Sequence, residues 1–130
     1  MEIPKGLRYS REHEWVAVQN GVATIGITDY AQEQLGDIVY VELPQIGVEV
    51  AKDKPFGVVE SVKAVSDIFA PVSGAVTEVN SPLADSPEKV NSDPYGDAWM
   101  IRVTMSDPNE LTDLMTPEEY EKFVEEEKDE

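Results

Sequence analysis

The sequence predicts an all-β body of antiparallel strands, a sandwich or barrel, with one short internal helix and helices at its C-terminus. Two observations carry this. Short extended runs punctuated by Pro, Gly, Asn and Asp fill the first hundred residues, and such spacing favours antiparallel strands over βαβ units. After Asp107 the apolar spacing changes to a helical one, with Leu111, Leu114 and Met115 followed by Tyr120, Phe123 and Val124.

Taken in order, Glu14 to Val18 and Val22 to Ile27 flank Asn20-Gly21. That dipeptide accepts positive φ at both positions of a tight turn, so the runs form a hairpin. Thr28 as N-cap and Gly36 as stop bound a two-turn helix over Asp29 to Leu35. Ile38 to Leu43 alternates, which predicts a strand with Val39, Val41 and Leu43 inward, ended by Pro44. Further strands are expected at 48–51, 56–62, 64–69, 75–80 and 98–103. Residues 81–96 are rich in Pro, Ser, Asp and Asn and read as a long connection with one helical turn near 87–90. Asp107-Pro108-Asn109-Glu110 and Thr116-Pro117-Glu118-Glu119 each place a cap, a first-turn proline and a glutamate before an apolar stripe. Two short helices should therefore pack on the β body, with the last charged residues fraying. The 130 residues fit one domain, a β body over about 1–105 and a helical segment over about 107–127.

Composition removes several chemistries. With no cysteine and the single His13, thiolate zinc sites, a cysteine nucleophile and a multi-histidine metal site are excluded. The net charge of −17 is spread along the chain, since the tail from Pro117 to Glu130 supplies only −6 of it. Nucleic acid and anionic membranes are repelled partners at that charge. The longest uncharged run, Trp15 to Thr28, has 14 residues, too short to span a bilayer. The N-terminus shows neither an apolar signal core nor an arginine-rich transit segment, so a soluble cytoplasmic protein is expected. Phosphate loops, dinucleotide fingerprints and hydrolase elbows are missing. Carboxylate pairs such as Glu12/Glu14 are ordinary in a chain with 27 acids. His13, beside Trp15, reads as a structural or rim residue.

Lys63 is the unusual position. It separates two strand-like runs, 57–62 and 64–69, so a hairpin tip would hold its amine clear of the body. The plain alternative is a solvated turn lysine. An imine-forming lysine would need burial or a nearby cation, and Glu60 and Asp67 oppose that.

Glu60-Ser61-Val62-Lys63-Ala64, followed by Asp67 to Gly74, closely resembles the lipoylation hairpin of the glycine cleavage system H protein family. His13-Glu14-Trp15, Gly26 to Gln32, Leu35 to Pro44 and Val90 to Met100 resemble further blocks of that family in its order, so the resemblance covers nearly the whole chain. It implies a barrel-sandwich hybrid fold and a non-catalytic, monomeric lipoyl carrier. Lys63 would hold lipoate in amide linkage, within a hairpin shaped for the lipoyl ligase or lipoyl transferase by Ser61, Val62, Ala64 and Val65. The implied partners are the pyridoxal-phosphate glycine decarboxylase (P protein), the folate-dependent aminomethyltransferase (T protein) and the flavin dihydrolipoyl dehydrogenase (L protein). Glu14 and Asp67 match positions associated with a cleft that shelters the loaded arm. Gln34 stands where some relatives have histidine, so no imidazole role is carried over there. Gly57 and Gly74 should let strands approach closely. The location implied is the bacterial or archaeal cytoplasm, or the mitochondrial matrix for a mature organellar form. A biotinyl carrier is disfavoured because Val62 and Ala64 stand where that family usually has methionines. The lipoyl domain of a 2-oxo acid dehydrogenase lacks the terminal blocks seen here. A lipoate-relay role, an imine enzyme and a purely structural interaction protein are the remaining alternatives.

Overall fold

The computed structural model describes residues 1–128. Strands β1 (Arg8–Tyr9), β2 (Glu14–Gln19), β3 (Val22–Ile27), β5 (Glu49–Val50), β8 (Gly74–Val79) and β9 (Ile101–Met105) form one sheet in the order β1-β2-β3-β9-β8-β5. Strands β4 (Ile38–Glu42), β6 (Pro55–Ser61) and β7 (Val65–Phe69) form a second, ordered β4-β6-β7. All pairings are antiparallel. The two sheets are not closed into a barrel.

The hairpin turn forms as its chemistry demands: Asn20 and Gly21 take φ of 54° and 80°, and Gln19 faces Val22. Helix α1 (Asp29–Leu35) is capped by Thr28, whose Oγ1 accepts from Ala31 N at 3.2 Å, and ends at Gly36 with φ 80°. Gly57 answers a close approach, because a Cβ there would stand 2.6 Å from the Glu42 carbonyl oxygen on β4.

Several expectations are corrected. Val39 is 54% exposed, because the β4–β6 register shifts between Ile38 and Tyr40; that bulge leaves Ile38 and Val41 as the buried pair. Strand 48–51 shrinks to the two residues of β5, and strand 98–103 moves to 101–105, with Ala98 and Met100 buried ahead of it. The connection 81–96 folds twice, as a 3₁₀ turn at Ser81–Ala84 and as α2 (Lys89–Ser92), which bury Leu83 and Val90. The segment after Asp107 is a 3₁₀ helix, Pro108–Asp113. Asp107 does cap it, but Glu110 reaches away to the Ser73 amide at 2.7 Å and hydroxyl at 2.9 Å, leaving no reciprocal bond to the cap.

Helix α3 (Pro117–Lys128) keeps the reciprocal box: Thr116 N donates to Glu119 Oε1 at 2.9 Å and Glu119 N to Thr116 Oγ1 at 3.2 Å. The bond from Thr116 N to its carboxylate holds the Glu119 carboxyl below its usual range. Any fraying at 129–130 lies outside the described residues. Helix α3 buries Tyr120 and Val124 against Tyr9, Trp15 and Tyr30, and the Tyr9 and Tyr120 rings stack at 4.6 Å. A second cluster joins Ile27 of the large sheet to Ile38, Val41, Val59 and Ile68 of the small one, which seats β6 and β7 firmly below their connecting turn. No helix among the described residues is long and apolar enough to cross a membrane.

Candidate functional site: a presented lysine and a buried carboxyl

The turn joining β6 to β7 is built around Ser61. Its N–H donates to the Ala64 carbonyl at 2.8 Å, while its Oγ accepts the amides of Lys63 at 3.2 Å and Ala64 at 3.0 Å. The short hydroxyl side chain thus replaces main-chain acceptors that a two-residue turn cannot supply. Val62 N donates to the Asp37 carbonyl at 3.0 Å, anchoring the tip to the loop after α1. The stem of Lys63 runs past the same loop, its Cε 3.5 Å from where a Cβ on Gly36 would stand. Lys63 is exposed and none of the ion pairs formed among the described residues involves it. Val62 is 70% and Val65 68% exposed, and Ala64 is exposed too. A fixed turn therefore offers a free primary amine flanked by aliphatic side chains.

Glu14 lies at the other end of this hairpin. It is 2% exposed and lines a cavity of about 330 Å³ with Ser10, Lys52, Asp53 and the apolar Tyr9, Phe69, Leu114 and Met115 among its walls. Ser10 Oγ donates to its Oε1 at 2.5 Å, and Phe69 N to its Oε2 at 3.2 Å. Burial outweighs these bonds and pushes the carboxyl up to about 7. Asp67 is exposed on β7, two residues before Phe69, and lines a different, shallower pocket with Glu42, Pro44 and Gly57. Glu14, on β2, and Asp67, on β7, therefore line separate cavities.

His13 stands beside Glu14 at φ 69° and serves the scaffold. Its Nδ1 meets the Tyr120 hydroxyl at 2.9 Å and its Nε2 the Glu127 carboxylate at 3.0 Å. Burial pushes its imidazole below the usual value against the pull of Glu127.

Sequence reasoning missed Ser10 and the Gly36–Asp37 anchor. Ser10 reaches Glu14 only because residues 10–14 fold on themselves, with Ser10 N donating to Glu14 O at 2.9 Å, and no periodicity signals such a turn.

A two-sheet body that presents one lysine on a rigid turn is built like a carrier whose reactive group is attached afterwards. The comparisons specify which carrier. The family described as Glycine cleavage H-protein matches residues 7–127. The glycine cleavage system H proteins of Bacillus subtilis and Carboxydothermus hydrogenoformans are 59% and 58% identical, over 97% and 96% of this chain and 99% and 96% of their own. A crystal structure of a glycine cleavage system H protein from Mycobacterium marinum superposes with a TM-score of 0.85 at 35% identity, covering 96% of this chain and 98% of that one. The chain belongs to the glycine cleavage H-protein family, the lipoyl carriers of that system.

Proposed function

We propose that Lys63 is the lipoate attachment point and that residues 1–130 act as one non-catalytic carrier in the cytoplasm. In this reading the chain moves the aminomethyl group of glycine from the glycine decarboxylase to the aminomethyltransferase and presents the reduced arm to dihydrolipoyl dehydrogenase. The observation that carries it is the exposed, unpaired Lys63 on a turn held by Ser61 and Asp37. The residues fit the group: a lipoyl ligase can approach the amine from solvent, and the Glu14 cavity offers an apolar wall for a returning arm. When attached, the dithiolane supplies a reversible thiol–disulfide couple that this cysteine-free chain does not carry itself.

The protein's own residues orient and shelter. Ser61 and Asp37 fix where the arm pivots. β7 has five residues, which sets the Glu14 cavity roughly 15 Å from the turn along the strand. Glu14 would ionise against a cationic amine held in that cavity, and the surrounding apolar side chains would exclude water. Tethering makes each encounter local, while the charge of −17 steers cationic partner surfaces toward the carrier.

The test is peptide mass spectrometry on protein made in a lipoate-replete host. A lipoyl increment at Lys63, lost in Lys63→Arg, is expected; a biotin-sized increment or an unmodified Lys63 overturns the reading. Reconstitution with the decarboxylase then reports whether the modified chain supports exchange of the glycine carboxyl.

A further inference from the structure

The small sheet has an open edge next to Lys63. Because Ser61 N donates to Ala64 O, that pair is hydrogen-bonded, and antiparallel alternation makes Val59/Ser66 and Gly57/Ile68 the next bonded pairs. Val65, Asp67 and Phe69 consequently turn their main-chain N–H and C=O groups away from β6. Phe69 confirms the phase, since its N–H is the one that reaches Glu14. Among the described residues no strand lies beyond β7. Apart from the Phe69 bond, the one side-chain bond along this edge among the described residues is a 3.4 Å contact from the Ser66 hydroxyl to the Asp67 carbonyl. Free main-chain groups along an exposed strand are a template for a further strand.

The side chains on the outer face say what kind. Register sets Tyr40, Glu60 and Val65 in one row and Glu42, Val58 and Asp67 in the next. Tyr40 and Val65 are exposed apolar groups, and Glu42, Glu60 and Asp67 make none of the ion pairs formed among the described residues. A strand added to β7 would meet an aliphatic site at Val65 and a carboxylate at Asp67. A second copy of a chain carrying −17 is repelled from this face; a segment with cationic side chains is attracted.

We propose that the edge of β7 from Val65 to Asp67 is the docking site of the enzyme that acylates Lys63, which adds an extended segment of aliphatic and cationic side chains as a fourth strand of the small sheet. The choice of occupant follows from reach. Catalysts that act on a long arm need not touch the hairpin, whereas the enzyme that forms the amide must bring its activated carboxyl to Nζ itself, two residues from Val65. The proposal rests on the reading of Lys63 as the acylated residue.

Val65→Pro removes an outward N–H while leaving the β6 ladder intact, and Val65→Ile keeps both that donor and a β-branched aliphatic side chain. With full-length protein, a lipoate–protein ligase, lipoic acid and ATP, Val65→Pro should be acylated about ten-fold more slowly, the loss expected for one or two main-chain bonds, and Val65→Ile within about two-fold of the wild-type rate. Saturating the Lys63→Arg variant with ligase should slow amide exchange at Val65 and Asp67 by about ten-fold as well. A folded Val65→Pro acylated at the wild-type rate overturns the edge proposal alone. So does unchanged exchange at both amides in a formed complex, or protection that grows with protein concentration when no ligase is present. If Val65→Pro does not fold, the exchange measurement decides. A wild-type chain that the ligase never acylates defeats the reading of Lys63 itself.

Discussion

Val62 donates its amide proton to the Asp37 carbonyl at 3.0 Å, so the tip of the β6–β7 hairpin is tied to the loop after α1 through main chain on both sides. A bond of this kind does not depend on the side chain at either position. The tip stays where it is while Val62 and Lys63 remain free to meet another molecule.

The turn itself hangs on one hydroxyl. Ser61→Ala leaves the amides of Lys63 and Ala64 without their acceptor, and should cost about 1 kcal/mol of stability. Amide exchange at those two residues should quicken, and acylation of Lys63 should slow. Exchange by NMR and a timed acylation assay check both.

Glu14 predicts a pH dependence. Its folded carboxyl sits near 7 against an ordinary value of 4.5, so the folded state binds the proton more tightly than the unfolded one. Its contribution to stability is greatest below about 4.5 and is lost as pH rises toward 7. The loss is roughly 2–3 kcal/mol by linkage, as an upper bound. Urea unfolding at pH 5 and pH 8 should show this drop in the wild type and a flatter profile in Glu14→Gln.

The Tyr120 hydroxyl lies 2.7 Å from Thr28 Oγ1 and 2.9 Å from His13 Nδ1, joining α3 to the cap of α1. Tyr120→Phe leaves two polar groups without this partner and should destabilise the fold by about 1–2 kcal/mol. Thermal unfolding should register it, with the Lys63 turn unchanged in its amide exchange.

Gly57→Ala tests the strand approach. The new methyl would stand 2.6 Å from the Glu42 carbonyl, forcing β4 and β6 apart at a cost of roughly 1–3 kcal/mol. A lowered denaturation midpoint with an unchanged m-value is the expected signature.

The hairpin at Asn20-Gly21, the helix between Thr28 and Gly36 and the turn lysine were all legible because each depends on local chemistry: which residues accept positive φ, which cap, and which interrupt two extended runs. Val39 was misread because a bulge reverses the inward face, and a bulge is set by the partner strand. Asp107 to Glu110 carried a helix-start pattern that the tertiary fold redirected, since Glu110 found Ser73 across the chain.

From its own order of residues, this chain specified strands, caps, charge and family membership, and it singled out Lys63 as an amine between two extended runs. Only the packed molecule decided that Glu14 would be buried with a shifted carboxyl, that Ser10 would bond it, and that β7 would keep one edge open. The reason is physical. Backbone preference acts over a few neighbouring residues, whereas desolvation and strand partnership arise between segments far apart in the chain.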